Sequence, residues 1–152
     1  MPRSIREFTK RHEGYRDTPY VCPAGFYTVG WGHNLEAHYP KSWEKMIGKK
    51  FEKKVLEDLL NRDLSEAAKS AKRCCQRYNV VFEELPRMVQ SVLVCMCFQM
   101  GSVNWPKFMG ALRERNWAQA KVEALDSKWA KKDTPRRAKE LVEWLESSKK
   151  AE

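Results

Sequence analysis

What the 152-residue chain lacks narrows it first. It has no C-x-x-C pair, and its five cysteines, Cys22, Cys74, Cys75, Cys95 and Cys97, are an odd number with no histidine at metal-ligand spacing. Adjacent Cys74 and Cys75 suit no ordinary disulfide, and Cys95 and Cys97 would face different sides of a helix. The pattern calls for no metal and no cofactor, and it points to synthesis in a reducing compartment. A long apolar run is also missing. The N-terminal MPRSIREFTK has no apolar core, so neither a signal peptide nor a membrane anchor is expected. The most apolar stretch, Met88 to Met100, is too short and too interrupted by Gln90, Ser91 and Gln99 to span a bilayer. Internal repeats, low-complexity tracts and disordered linkers are absent.

No block of five or six like charges occurs either. The 29 basic against 20 acidic residues give +9, which draws in an anionic partner at long range. The cations are nevertheless interleaved with acids, as in RSIREFTKRHE, KSWEKMIGKKFEKK and KKDTPRRAKE. A nucleic-acid stripe would be more concentrated, so no nucleic-acid partner is expected. With 42% hydrophobic and 11% aromatic residues the composition is that of a folded chain, and 32% charged residues exclude a membrane or fibrous one. At this length one compact domain buries roughly two-thirds of its unfolded surface.

Local signals divide the chain into a few elements. Ser4 and Glu7 have the form of a capping box, Ile5 and Phe8 begin an apolar stripe, and Gly14 marks the stop of a first helix over 4–13. Pro19, Pro23 and Ala24-Gly25 read as turns, and FYTVGWGH reads as one alternating strand of a small sheet. From about 51 to 75 apolar residues recur at Phe51, Val55, Leu56, Leu59, Leu60, Leu64, Ala67, Ala68 and Ala71. That period predicts a helix about 37 Å long, a strut between an N-terminal lobe over 14–50 and a C-terminal lobe over 76–148. Pro86 opens a helix apolar nearly all round, the centre of the second lobe, and Gly101 ends it. Shorter helices are expected at Phe108 to Arg115 and Trp117 to Lys128. Thr134-Pro135 then gives an N-cap with proline at the first helical position. The fold class expected is α+β and mainly helical, within a single domain over 1–152.

Few residues carry obvious chemistry. Glu13 stands where the first helix turns into the sheet, and alone it reads as an ordinary solvated helix end. Strict alternation through FYTVGWGH would place Thr28, Gly30 and Gly32 on one face, a hydroxyl beside two positions without side chains. Such glycines mark either close approach of a ligand or tight packing and a bulge. Arg136 and Arg137 fall in the first turn of the last helix, where the macrodipole disfavours cations. An anionic partner would explain them, although Arg136 also reads as simply solvated.

Together these residues resemble the phage lysozymes of glycoside hydrolase family 24, the T-even phage type. That family's pattern is Glu, eight residues, Asp or Cys, five residues, Thr, which Glu13, Cys22 and Thr28 match within EGYRDTPYVCPAGFYTVGWGH. NRDLSEAAKSA is similar to the family's interlobe helix, FQMG to the end of its buried helix, and SKWAKKDTPRRAKE to its final segment. The likeness runs from Ile5 to about Leu145. It departs from the family by one extra residue between Trp129 and Thr134, a shorter C-terminus, and a mid-segment EAHYPKSWEKMIGKK of little family character.

The resemblance implies a lysozyme-like fold and a muramidase cutting the β-1,4 bond between N-acetylmuramic acid and N-acetylglucosamine in peptidoglycan. It implies Glu13 as proton donor, Thr28 as a group that positions water or substrate, and Arg137 as the partner of that glutamate across a cleft. His33 and Asp63 fall where the family has a structural pair, and Phe98 and Gln99 where it lines the cleft, with core packing and a helix-end polar group as their plain readings. Trp31 falls on the Val29 face, a packing position rather than a sugar-stacking one. For Cys22 three roles stay open: orienting water with Thr28, acting as a thiolate nucleophile, or filling space while Asp17 or solvent supplies the base. The resemblance further implies a monomer in the host cytoplasm that reaches the wall after release by a holin. A lytic transglycosylase and a non-catalytic wall-binding module are the rival readings.

Overall fold

A computed structural model describes residues 3–151, with side chains from 5 to 146. The chain is α+β and mainly helical, with a small antiparallel sheet near its start. It divides into two compact units, 1–65 and 66–152, and the division falls inside the longest helix.

In the first unit, α1 spans Arg3–Glu13 and buries Ile5, Phe8 and Thr9 on one face, as its apolar spacing dictates. Gly14 stops it at φ +73°, its N–H bonding the Lys10 carbonyl at 3.2 Å. The Ser4 side chain, the proposed half of a capping box, lies outside the described residues. Arg6 and Lys10 reach the Glu57 carboxylate on α3, Lys53–Arg77, and Arg6 also donates to Asn61.

The sheet is a meander of β1, Arg16–Val21, β2, Tyr27–Gly30, and β3, His33–Asn34, in the order β1-β2-β3. Two expectations need correction here. Pro19 was expected to mark a turn but lies within a strand, RDTPYV. Its proline is tolerated because β1 is an edge strand with a register irregularity between Arg16 and Tyr20, where no N–H is required of Pro19. FYTVGWGH was expected to be one strand but is two. Gly30 and Gly32 take φ +67° and +72°, which turns the chain at Trp31 and ends the alternation. Trp31 is buried against Tyr15 at 4.7 Å with the Lys10 ammonium 4.5 Å over its ring, a packing position. Leu35–His38 forms a one-turn helix, α2, capped by the Asn34 side chain at 3.0 Å.

In the second unit the core is α4, Arg87–Met100, whose residues from Ser91 to Cys97 are all buried. Gly101, at φ +86°, closes it, and the Ser70 hydroxyl donates to the Gly101 carbonyl. Around it lie α5, Pro106–Arg113, α6, Trp117–Leu125, and α7, Pro135–Ala151. Trp129–Asp133 forms a π turn, with the Thr134 N–H reaching the Trp129 carbonyl at 2.9 Å. All five cysteines are free; four are buried, and Cys22 is half-buried. Among the described residues no helix is long and apolar enough to cross a membrane.

Candidate active site

The β1–β2 hairpin assembles most of the motif. Gly25 N–H bonds the Cys22 carbonyl at 2.8 Å, and Cys22 N–H bonds the Phe26 carbonyl at 2.9 Å. Pro23 sits second in this turn and Gly25 takes φ +91°, the left-handed residue that closes a three-residue hairpin loop. The loop brings the Cys22 sulfur to the Thr28 hydroxyl. Thr28 is buried, and its hydroxyl donates to the Phe26 carbonyl at 3.0 Å.

This setting decides the state of the thiol. Burial, the largest single influence, pushes Cys22 up, but the hydrogen bonds from Thr28 and from the backbone at Phe26, Ala24 and Gly25 outweigh it. The thiol therefore ionises below its ordinary value. As the thiolate forms, the Thr28 proton has a better acceptor in sulfur than in the Phe26 carbonyl, so the hydroxyl can serve either group.

Glu13, at the end of α1, reaches the turn between β2 and β3. A side chain at Gly32 would bring its Cβ to 2.6 Å from Glu13 Oε2, so the carboxylate lies directly on the Gly32 backbone. The other expected glycine answers to packing: a Cβ at Gly30 would meet Leu56 Cδ2 at 3.1 Å. Asp17 lies in the irregular part of β1, its carboxylate 3.6 Å from the Lys50 ammonium.

His33 and Asp63 meet, Nδ1 to Oδ2, at 2.7 Å. The pair is part of a longer chain that the sequence did not announce. His33 Nε2 lies 2.6 Å from His38 Nδ1, and His38 Nε2 lies 2.9 Å from Arg62 Nη1. A guanidinium only donates, so His38 Nε2 must accept and its Nδ1 must carry the proton. His33 Nε2 then accepts in turn, and its Nδ1 proton goes to Asp63. Every bond is satisfied with both rings neutral.

In the second unit Gln99 is fully engaged. Its carbonyl accepts from Trp129 Nε1 at 2.8 Å and its amide donates to Thr134 Oγ1 at 3.0 Å. An indole N–H only donates, so the amide orientation is fixed. Phe98, beside it, is half-buried, and Arg137 is buried in the first turn of α7. The hairpin also brings Tyr20 to the motif, opposite Thr28 in the strand register. Reading Pro19 as a turn hid it, since alternation from Cys22 would have put Tyr20 on the same face. His38 and Arg62 left no such signal, because their approach depends on how α2 packs on α3.

Known proteins bear on this arrangement. The family model described as phage lysozyme matches residues 10–151. Two proteins of Dictyostelium discoideum, each named a probable T4-type lysozyme, are 28% identical over 165 aligned positions, which cover 97% of this chain and 96% of each relative. The family match spans nearly the whole chain and contains the hairpin with Cys22 and Thr28 as well as Glu13. The chain belongs to the phage lysozyme family and is a glycoside hydrolase of the lysozyme type, a peptidoglycan hydrolase.

Proposed function

We propose that the enzyme is an endolysin muramidase that hydrolyses the β-1,4 bond between N-acetylmuramic acid and N-acetylglucosamine, with lysis of a bacterial host as its task. The observation that carries this reading is the placement of Glu13 on Gly32, beside a hairpin that joins Cys22 to Thr28. Glycoside cleavage needs one protonated carboxyl at the leaving oxygen and a second group that activates or replaces water. Glu13 supplies the proton, a role contributing roughly 10² to 10⁴ in rate. Cys22 and Thr28 hold the attacking water, with the lowered thiol making Cys22 a better acceptor than an ordinary cysteine. A water held opposite the leaving group predicts inversion or near-inversion.

Gly32 gives the close approach that Glu13 requires. Phe98, Gln99 and Arg137 are proposed as substrate contacts from the second unit, a role carried by the family resemblance. His33 and Asp63 are read as structural. By the family resemblance, the enzyme is proposed to act as a monomer that accumulates in the host cytoplasm and reaches the wall through a holin.

Product analysis on purified peptidoglycan tests the reaction. Reducing ends are expected, whereas anhydro ends would identify a lytic transglycosylase. Glu13→Gln should abolish product while keeping the melting midpoint of the parent. Substantial residual hydrolysis would remove Glu13 from the mechanism.

A further inference from the structure

The motif accounts for Glu13, Cys22 and Thr28, but the hairpin adds a fourth polar group. Tyr20 is paired with Thr28 across the β1–β2 ladder and stands two residues before Cys22, so its side chain shares their face of the sheet. Its ring is held by the Arg16 guanidinium, 4.8 Å from the ring centroid. The hydroxyl is raised above its ordinary value by burial first, then by the charges of Glu13 and of Cys22, with Arg16 opposing. It is therefore a fixed proton donor within electrostatic reach of both groups that act on the linkage.

Such a donor has a definite chemistry to offer. If Glu13 gives its proton to the leaving oxygen and Cys22 holds water, the sugar being cut lies beside both, and so beside the phenol. The ring oxygen of that sugar gains positive charge in an oxocarbenium-like transition state and makes a poor acceptor. Its exocyclic oxygens remain acceptors throughout.

We propose that the Tyr20 hydroxyl donates a hydrogen bond to an exocyclic oxygen of the sugar at the cleaved linkage, as a fourth residue of the site. This rests on the muramidase reading. Hydrogen bonds to exocyclic oxygens beside the reacting carbon strengthen as the sugar distorts toward the transition state, so loss of this one falls mainly on kcat.

Tyr20→Phe removes the O–H and leaves the ring that Arg16 covers. The measurement is kcat and KM on soluble peptidoglycan fragments, by reducing-end release, for the wild type, Tyr20→Phe and Glu13→Gln. Rates are taken per folded molecule from melting curves, so that a loss of stability does not register as a loss of kcat. The expected result is a kcat roughly tenfold or more below wild type, with KM nearly unchanged. Tyr20→Phe at wild-type kcat, or a loss confined to KM, overturns the proposal. Absence of reducing ends from the wild type itself would instead overturn the muramidase reading.

Discussion

Gly32 shows how one missing side chain can matter more to chemistry than to folding. Any other residue there meets two penalties. The left-handed backbone at φ +72° costs an L-residue about 1–2 kcal/mol. The added Cβ would also fall 2.6 Å from Glu13 Oε2, the far end of a flexible side chain that can swing away at little cost to the fold. Gly48, at φ +82° with nothing within 4 Å of where a Cβ would stand, isolates the first penalty. Gly32→Ala and Gly48→Ala should thus lose similar stability in urea, whereas peptidoglycan hydrolysis should fall tenfold or more only in the former. Equal activities would show that Glu13 does its work from a displaced position. At Cys22 the lowered thiol predicts alkylation by iodoacetamide with an inflection below that of an ordinary cysteine, and Thr28→Val should move it upward. Cys22→Asp should be tolerated and Cys22→Ala should cost much more. An alanine variant as active as the parent would make the thiol passive.

At the scale of elements, the chain from Asp63 through His33 and His38 to Arg62 ties β3 and α2 to α3. An extra proton on either ring turns an acceptor into a donor, and the last donor then faces the guanidinium. His38 is held below its ordinary value by burial first, then by His33 and Arg62, against the pull of Asp63. Its folded value is depressed, so the unfolded chain takes up the proton first as pH falls. Stability is full above the unfolded value of about 6.5 and is lost as pH drops through the folded one. The melting midpoint should fall between about pH 7 and pH 5, and His38→Gln, which can keep both bonds but cannot titrate, should flatten that slope. An unchanged slope would assign the effect to other groups. Within the second unit, Gln99→Leu leaves Trp129 Nε1 and Thr134 Oγ1 without their partner and should cost about 1–3 kcal/mol in chemical denaturation.

For the whole molecule the relevant quantity is the +9 charge spread along the chain. Attraction between exposed charges is screened over about 10 Å at 0.1 M salt. Hydrolysis of anionic cell walls should therefore slow as salt rises, through KM or association, while cleavage of a small neutral oligosaccharide should not. A salt response equal on both substrates would place the effect inside the site.

The sequence by itself determined the elements that depend on short-range chemistry. The stop at Gly14, the 25-residue periodic helix α3, the end of α4 at Gly101 and the Thr134-Pro135 start of α7 follow from backbone preferences and helical spacing, which act within a few residues. The Glu13, Cys22, Thr28 spacing was equally legible, because the hairpin that joins Cys22 to Thr28 is local. Tertiary structure decided the rest. Pro19 spoke against a strand until an irregular edge ladder accommodated it, and Gly32 belonged to a strand until positive φ angles turned the chain there. Whether Gly30 and Gly32 served a ligand or packing depended on Leu56 and Glu13, 26 and 19 positions away in sequence. The proton order from Asp63 to Arg62 likewise exists only once three elements are packed. Spacing along the chain says which groups can be neighbours, and only packing sets the distances on which their protons depend.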